Sequence, residues 1–280
     1  MILFLFLAHL GVGIAFTLLF VSREAGVKFF RFNAGLAATL VATALAFAPS
    51  QVGLVGQEGQ AGQAGLEGIA TLAFRALVAF EVALIFYWLT IGRAFTPFRR
   101  AILAVAVSLG AAALVLQAVS LSAGDPVPMR FLTIASVLSS AAFLGGACTA
   151  MILGHWYLVI PSLEVEHLQS IVRFHIASMV IRIAVVGAVV FAALAIWGSG
   201  PAAAGVVNFR RYITSVDGIF FWQRVLFGLA GPVVLSYLTW ETAKIRSTQS
   251  ATGILYVDFF TVVVGEVLAK YLLLATRVPL

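Results

Sequence analysis

The sequence predicts an all-α fold, a polytopic membrane bundle of about eight transmembrane helices. The first observation is composition: of 280 residues, 62% are hydrophobic and 10% are charged, and the mean hydropathy is +1.09. A soluble domain carries roughly 25% charged residues, so composition excludes that class. The second observation is that the apolar residues come in runs of about 20, the length with which a helix crosses the hydrocarbon core.

Eight apolar runs meet this length requirement, the second being the shortest. They lie at about residues 2–21, 34–49, 69–92, 101–121, 131–160, 169–198, 219–240 and 251–276. The connections between them are too short to hold a soluble domain, so residues 1–280 form a single integral membrane domain. Any chemistry must then take place inside the bundle, at its rims or on a partner subunit. An even number of spans places both termini on one side of the membrane.

The charges of the loops predict the orientation. Lys and Arg residues concentrate in alternate connections, which are 22–33, 93–100, 161–173 and 241–250. The opposite connections hold only Arg130, Arg210 and Arg211. Because cytoplasmic loops carry the excess of Lys and Arg, both termini are expected outside. Orientation in a bacterial cytoplasmic (inner) membrane thus accounts for the net charge of +6, and no nucleic-acid partner is expected.

Two connections have unusual composition. From Gly53 to Gly68 glycine recurs at every third position, which is the collagen period, but the run is short and contains no proline. We expect a flexible linker, with an extended glycine helix packed on a partner chain as the alternative. The segment 200–218, with aromatic and basic residues at 209–213, is expected to include a short amphipathic element at the outer interface.

Ionisable residues within the spans are the best functional lead, because they are costly at membrane depth and are usually kept for a use. Three of the four histidines lie between Gly154 and Arg182, and His167 among them is expected to be a solvated loop residue. The number of residues between each of the other ionisable side chains and the nearest span end divides these side chains into two layers at different depths. The inner layer is His155, Tyr157, His175, Arg182 and Asp258, and the outer layer is His9, Arg75, Arg224 and Glu266. Glu81 lies between the layers and is the candidate for a proton path.

Spacing and depth also predict ion pairs, which would offset the cost of burying each charge. Glu266 and Lys270 are four residues apart and can pair along one helix. Arg224 can reach Glu266 from the preceding span. Arg182 and Asp258 lie at similar counted depths on different spans and could pair across them.

The chemistry of these layers leaves several functions open. His155 and His175, at comparable depth, could together ligate the iron of a b-type haem, with room for the ring provided by small residues near Gly146 and Gly154. Either layer could instead bind a quinone or quinol, whose ring oxygens need a few donors or titratable groups in an apolar cleft.

The leading hypothesis is an integral membrane subunit of a respiratory-type electron-transfer complex that binds a quinone or haem b. Its partners would be the lipid bilayer and other membrane or peripheral redox subunits. One alternative is a small transporter or proton-conducting protein, and another is a non-catalytic scaffold subunit. No residue is assigned as catalytic, and whether the protein is an enzyme stays open.

Overall fold

The structure is a computed structural model that describes residues 1–48, 60–93, 96–159, 165–197 and 209–280. In these ranges all the regular structure is helical, as expected. Seven helical segments are long and apolar enough to cross a membrane, and Ile2–Thr17 forms a shorter apolar helix. The expected all-α membrane bundle is therefore confirmed. A helix pairs its own backbone polar groups, which is what a chain surrounded by hydrocarbon requires.

The helices follow the expected order along the chain. They are α1 (Ile2–Thr17), α2 (Gly26–Ala46), α3 (Gln60–Thr90), α4 (Arg99–Leu121), α5 (Val127–Val159), α6 (Val165–Trp197), α7 (Phe209–Thr214), α8 (Ile219–Val225), α9 (Gly231–Lys244) and α10 (Thr248–Thr276). A π-helical turn at Leu226–Ala230 joins α8 to α9, so the seventh expected span consists of three consecutive segments. Gly92, with φ of 72°, follows α3 in a left-handed conformation that favours glycine.

The two unusual connections have different outcomes. Helix α3 begins at Gln60, so the expected flexible linker is wrong for residues 60–68, which are helical. Residues 53–59 of that run lie outside the described part of the chain. A short helix with a buried and an exposed side is found there as α7, which buries Phe209 and Tyr212 and exposes Arg210 and Arg211, while its position at the outer interface stays a prediction.

The chain divides into two compact units, and α5 contributes to both. The first unit comprises Met1 and residues 3–145, from α1 to the first part of α5. Within it, α1 and α5 cross closely at Gly13 and Gly145. A β-carbon built on Gly13 would collide with the carbonyl of Ala141, and one built on Gly145 would collide with the backbone of Gly13. Small residues allow such close approach between membrane helices.

The second unit comprises Ile2 and residues 146–280, from the remainder of α5 to α10. Helix α10 packs against α8, the π-helical turn and α9, and α9 also packs against α6. The backbones of Gly228 and Gly265 meet where the π-helical turn crosses α10. This unit holds most of the buried ionisable side chains that the structure describes.

Candidate functional site

Helices α6, α8 and α10 of the second unit bury six ionisable side chains among apolar neighbours. All are at most 3% exposed, and they are His175, Arg182, Arg224, Asp258, Glu266 and Lys270. His175 and Arg182 are seven residues apart and share one face of α6. Asp258 and Glu266 are eight apart, or about 12 Å along α10. Two groups result: the histidine–aspartate pair (His175, Asp258) and the glutamate cluster (Glu266, Arg182, Arg224, Lys270).

The histidine–aspartate pair joins α6 to α10. Nε2 of His175 lies 2.8 Å from Oδ2 of Asp258, and both side chains are almost fully buried. The contact is close, but it does not have the geometry of a regular hydrogen bond. Neither oxygen of Asp258 accepts a regular hydrogen bond from any residue that the structure describes. Gly146 of α5 lies beside the imidazole, and a β-carbon there would be 3.4 Å from Nδ1 of His175, an ordinary van der Waals distance.

The glutamate cluster surrounds one carboxylate with three cations. Arg182 donates from Nε to Oε1 of Glu266 at 2.9 Å and from Nη2 to Oε2 at 3.1 Å. Arg224 donates from Nη2 to Oε1 at 2.7 Å, and Lys270 donates from Nζ to Oε2 at 3.2 Å. Arg182 also donates to the backbone oxygen of Leu280 at 2.8 Å. Both oxygens of this buried carboxylate are thus fully engaged, as a buried charge requires.

Glycines provide the space for Arg224 beside α10. A β-carbon on Gly228 would collide with Nη1 of Arg224, and one on Gly265 would lie 3.0 Å from the same atom. The π-helical turn that contains Gly228 begins two residues after Arg224. Turns of this kind are frequent at functional sites. The local backbone therefore positions the Arg224 guanidinium against Glu266.

The ion pairs that the sequence predicted have different outcomes in the structure. The Glu266–Lys270 and Arg224–Glu266 pairs are confirmed. The Arg182–Asp258 pair is wrong: Arg182 binds Glu266, and Asp258 contacts His175. Arg182 was expected in the inner layer and is instead bound to a residue of the outer layer. Residue counts from span ends carry no information on the tilt and axial offset of neighbouring helices, so they could not give this contact.

His155 and His175 have different surroundings. His155 is exposed on α5, and its Nδ1 is hydrogen-bonded at 3.0 Å to the hydroxyl of Tyr256, which is 45% exposed. His175 packs against Gly146, nine residues before His155, which corresponds to about 13 Å along α5. The expected common depth of the two histidines is therefore wrong.

The small residues of α5 also differ from expectation. A β-carbon on Gly146 would meet Phe174, His175 and Ser178, and one on Gly154 would meet Thr252 and Leu255. These glycines accommodate neighbouring helices rather than leaving room for a ring. Tyr157, expected in the inner layer, is buried, and its hydroxyl accepts a hydrogen bond from the backbone N–H of Leu168 at 3.2 Å near the start of α6.

In the first unit, His9 joins three helices. Its Nε2 lies 3.2 Å from Oε1 of Gln117 on α4, and its Nδ1 lies 3.3 Å from Oγ of Ser140 on α5. Because a carbonyl oxygen only accepts, this arrangement assigns the proton to Nε2 and lets Nδ1 accept from the serine. His9 is 1% exposed, so its polar atoms are satisfied within the core of the unit.

The other two predicted residues of the first unit lie on α3. Arg75 is exposed, whereas Glu81 is 7% exposed and its Oε2 has no hydrogen-bond partner among the described residues. The predicted outer layer is thus divided, with His9 and Arg75 in the first unit and Arg224 and Glu266 in the second. The role of Glu81 in a proton path stays a prediction.

Several contributors could not be found by sequence reasoning. Tyr256, Gln117 and Ser140 gave no signal, because a single polar residue in an apolar run does not show what it faces. Among the described residues there is no group of three or more His, Cys, Asp or Glu side chains that could hold a metal ion. No protein-family model matches the chain, and no curated protein matches it in sequence.

Proposed function

We propose that this membrane protein transfers protons within the membrane interior, with the histidine–aspartate pair as the group that takes up and releases them. The observation that carries the proposal is the 2.8 Å contact between His175 and Asp258, both fully buried. Imidazole and carboxylate groups both take up and release protons, and two such groups in contact can pass a proton between them.

The contrast with Glu266 supports this assignment. Glu266 is bound by three cations through four hydrogen bonds, which suits a charge that stays in place and holds helices together. Asp258 has the imidazole of His175 as its close polar partner and accepts no regular hydrogen bond within the described residues. A carboxylate held only by one titratable partner can change protonation without breaking a larger network. If both groups only held helices together, we would expect the carboxylate of Asp258 to be surrounded by hydrogen-bond donors, as the carboxylate of Glu266 is.

Proton flux into proteoliposomes tests the proposal. The full-length protein is reconstituted with an internal pH-sensitive dye, and a potassium diffusion potential drives proton entry. We expect Asp258→Asn and His175→Gln each to lower the protein-dependent rate at least tenfold, since each removes a group that carries the proton. Asp258→Glu, which keeps the carboxyl group, should retain a substantial part of the rate.

His167→Gln and Glu241→Gln are the controls, because they remove titratable groups outside the pair. Both should leave the flux unchanged. Wild-type rates in Asp258→Asn protein that elutes as the native species from a sizing column would refute the proposal and leave the pair a structural contact. An absence of protein-dependent flux in the wild type would do the same.

A second candidate function, quinone binding, is favoured by the pair His155–Tyr256. This hydrogen-bonded pair is exposed on α5 and α10, so a molecule dissolved in the bilayer can reach it without entering the core. An imidazole and a phenol offer the donors and acceptors that quinone oxygens need. The adjacent Trp156 provides a fluorescence signal, which a bound quinone quenches.

Titration of the protein in nanodiscs with short-chain quinones measures this binding. We expect His155→Ala and Tyr256→Phe each to raise the Kd at least fivefold, whereas His167→Gln should not change it. Equal affinity in all three variants argues against a quinone at this pair. Haem ligation by His155 and His175 stays a prediction, which a reduced-minus-oxidised absorption spectrum of the purified protein tests.

A further inference from the structure

A narrow recess opens at one end of the helices of the first unit, on the side that the loop charges assign to the cytoplasm. It is formed where the connection after α1, the end of α3 and the start of α4 come together. Its lining includes Arg23, Phe30, Tyr87, Arg99, Arg100 and Leu103. The free volume inside is about 10 Å³, which admits roughly one atom the size of a water oxygen.

The recess carries concentrated positive charge. Among the described residues, none of the three arginines forms an ion pair with a carboxylate. The guanidinium of Arg99 lies over the ring of Phe30, 4.5 Å from its centroid, which leaves the edge of the guanidinium available for hydrogen bonds. Glu24 is the acidic residue next to Arg23 in the chain. Three cations at one mouth indicate an anionic ligand.

Tyr87 gives a second, independent indication. It lines the recess, it is 1% exposed, and its hydroxyl has no hydrogen-bond partner among the residues that the structure describes. Leaving a buried hydroxyl unpaired costs free energy, and an acceptor oxygen placed in the recess would remove that cost. The available volume suits a single oxygen atom.

We propose that this recess binds the phosphate group of an anionic phospholipid. One phosphate oxygen enters the recess and accepts from the Tyr87 hydroxyl, while the guanidinium groups of Arg23, Arg99 and Arg100 bind the other oxygens at the rim. A lipid fits better than a soluble phosphate, because the recess lies at the end of apolar helices and Leu103 extends its wall into the apolar part of α4. Basic recesses between helices on this side of a membrane suit anionic headgroups.

Native mass spectrometry of the full-length protein, titrated with phosphatidylglycerol in detergent, tests the proposal. The double variant R99Q/R100Q should lower the affinity at least tenfold. The control K244Q/R246Q removes the same number of charges from another loop on the same expected side and should have less than a twofold effect. Tyr87→Phe removes only the hydroxyl and should lower the affinity about threefold to fivefold at unchanged charge.

Two further titrations identify the source of the phosphate. Phosphatidylcholine, which has a neutral headgroup, and inorganic phosphate should each bind at least tenfold more weakly than phosphatidylglycerol. Equal losses in R99Q/R100Q and K244Q/R246Q would overturn the site in favour of general surface attraction. Wild-type affinity in Tyr87→Phe would also overturn the proposed site. If R99Q/R100Q misfolds, Tyr87→Phe tests the proposal by itself. Inorganic phosphate binding as tightly as the lipid would overturn the lipid assignment.

Discussion

The guanidinium group of Arg182 binds both carboxylate oxygens of Glu266, with Nε 2.9 Å from Oε1 and Nη2 3.1 Å from Oε2. This two-point contact joins the middle of α6 to α10. Arg224 binds the same carboxylate from α8. Three helices of the second unit thus share one buried negative charge, and the consequences of removing that charge can be measured.

Glu266→Gln is expected to destabilise the protein by about 3–5 kcal/mol, because it leaves buried cations without their counter-charge. Thermal unfolding of the purified protein in detergent measures the change. Glu241→Gln is the matched control, since Glu241 and Lys244 form a pair with side chains 44% and 48% exposed. Breaking that pair should cost at most about 1 kcal/mol. Similar losses in the two variants would show that the glutamate cluster does not stabilise the unit.

Gly13→Ala and Gly145→Ala should each destabilise the protein by about 1–3 kcal/mol, because each β-carbon would collide with backbone of the neighbouring helix. Apparent melting temperature and yield of folded protein report the effect. Gly187→Ala is the control: its β-carbon meets no atom within 4 Å, so the change should be neutral or stabilise α6 by up to about 1 kcal/mol. A tolerated alanine at Gly13 is incompatible with the crossing described for α1 and α5.

Ser140→Ala removes the hydroxyl next to Nδ1 of His9, and we expect a loss of about 1–2 kcal/mol. Ser108→Ala is the control, since Ser108 is exposed and bonds only the carbonyl of Ala104 within its own helix. That variant should lie within about 0.5 kcal/mol of wild type. Thermal unfolding in detergent compares the two, and equal stabilities would speak against a contribution of the His9 contacts to the first unit.

Cysteine labelling tests the expected orientation. On a background in which Cys148 is replaced by alanine, Val127→Cys is placed at the start of α5 and Gln249→Cys at the start of α10, both exposed. A membrane-impermeant maleimide added to intact cells should label Val127→Cys, whereas Gln249→Cys should react only after permeabilisation. The reverse result would place both termini in the cytoplasm. The recess lined by Tyr87, Arg99 and Arg100 would then lie on the outer face of the membrane.

The apolar runs were sufficient to predict the helices, because a span of about 20 apolar residues has one favourable conformation in hydrocarbon. The pair Glu266–Lys270 followed from a spacing of four within one helix. Local spacing did not predict that residues 60–68 are helical. They form the first part of α3 although glycine recurs among them. Glycine is tolerated in membrane helices, so a glycine period alone did not decide between helix and loop.

By itself, the sequence determined the membrane class, the order of the helices and which apolar runs carry ionisable residues, because these depend on composition and local spacing. The tertiary structure decided which of those residues meet. It brought Arg182 to Glu266 rather than to Asp258, His175 to Asp258, and His155 to Tyr256. Such contacts depend on how helices tilt, shift and rotate against one another, and these are properties of packing between segments distant in the chain.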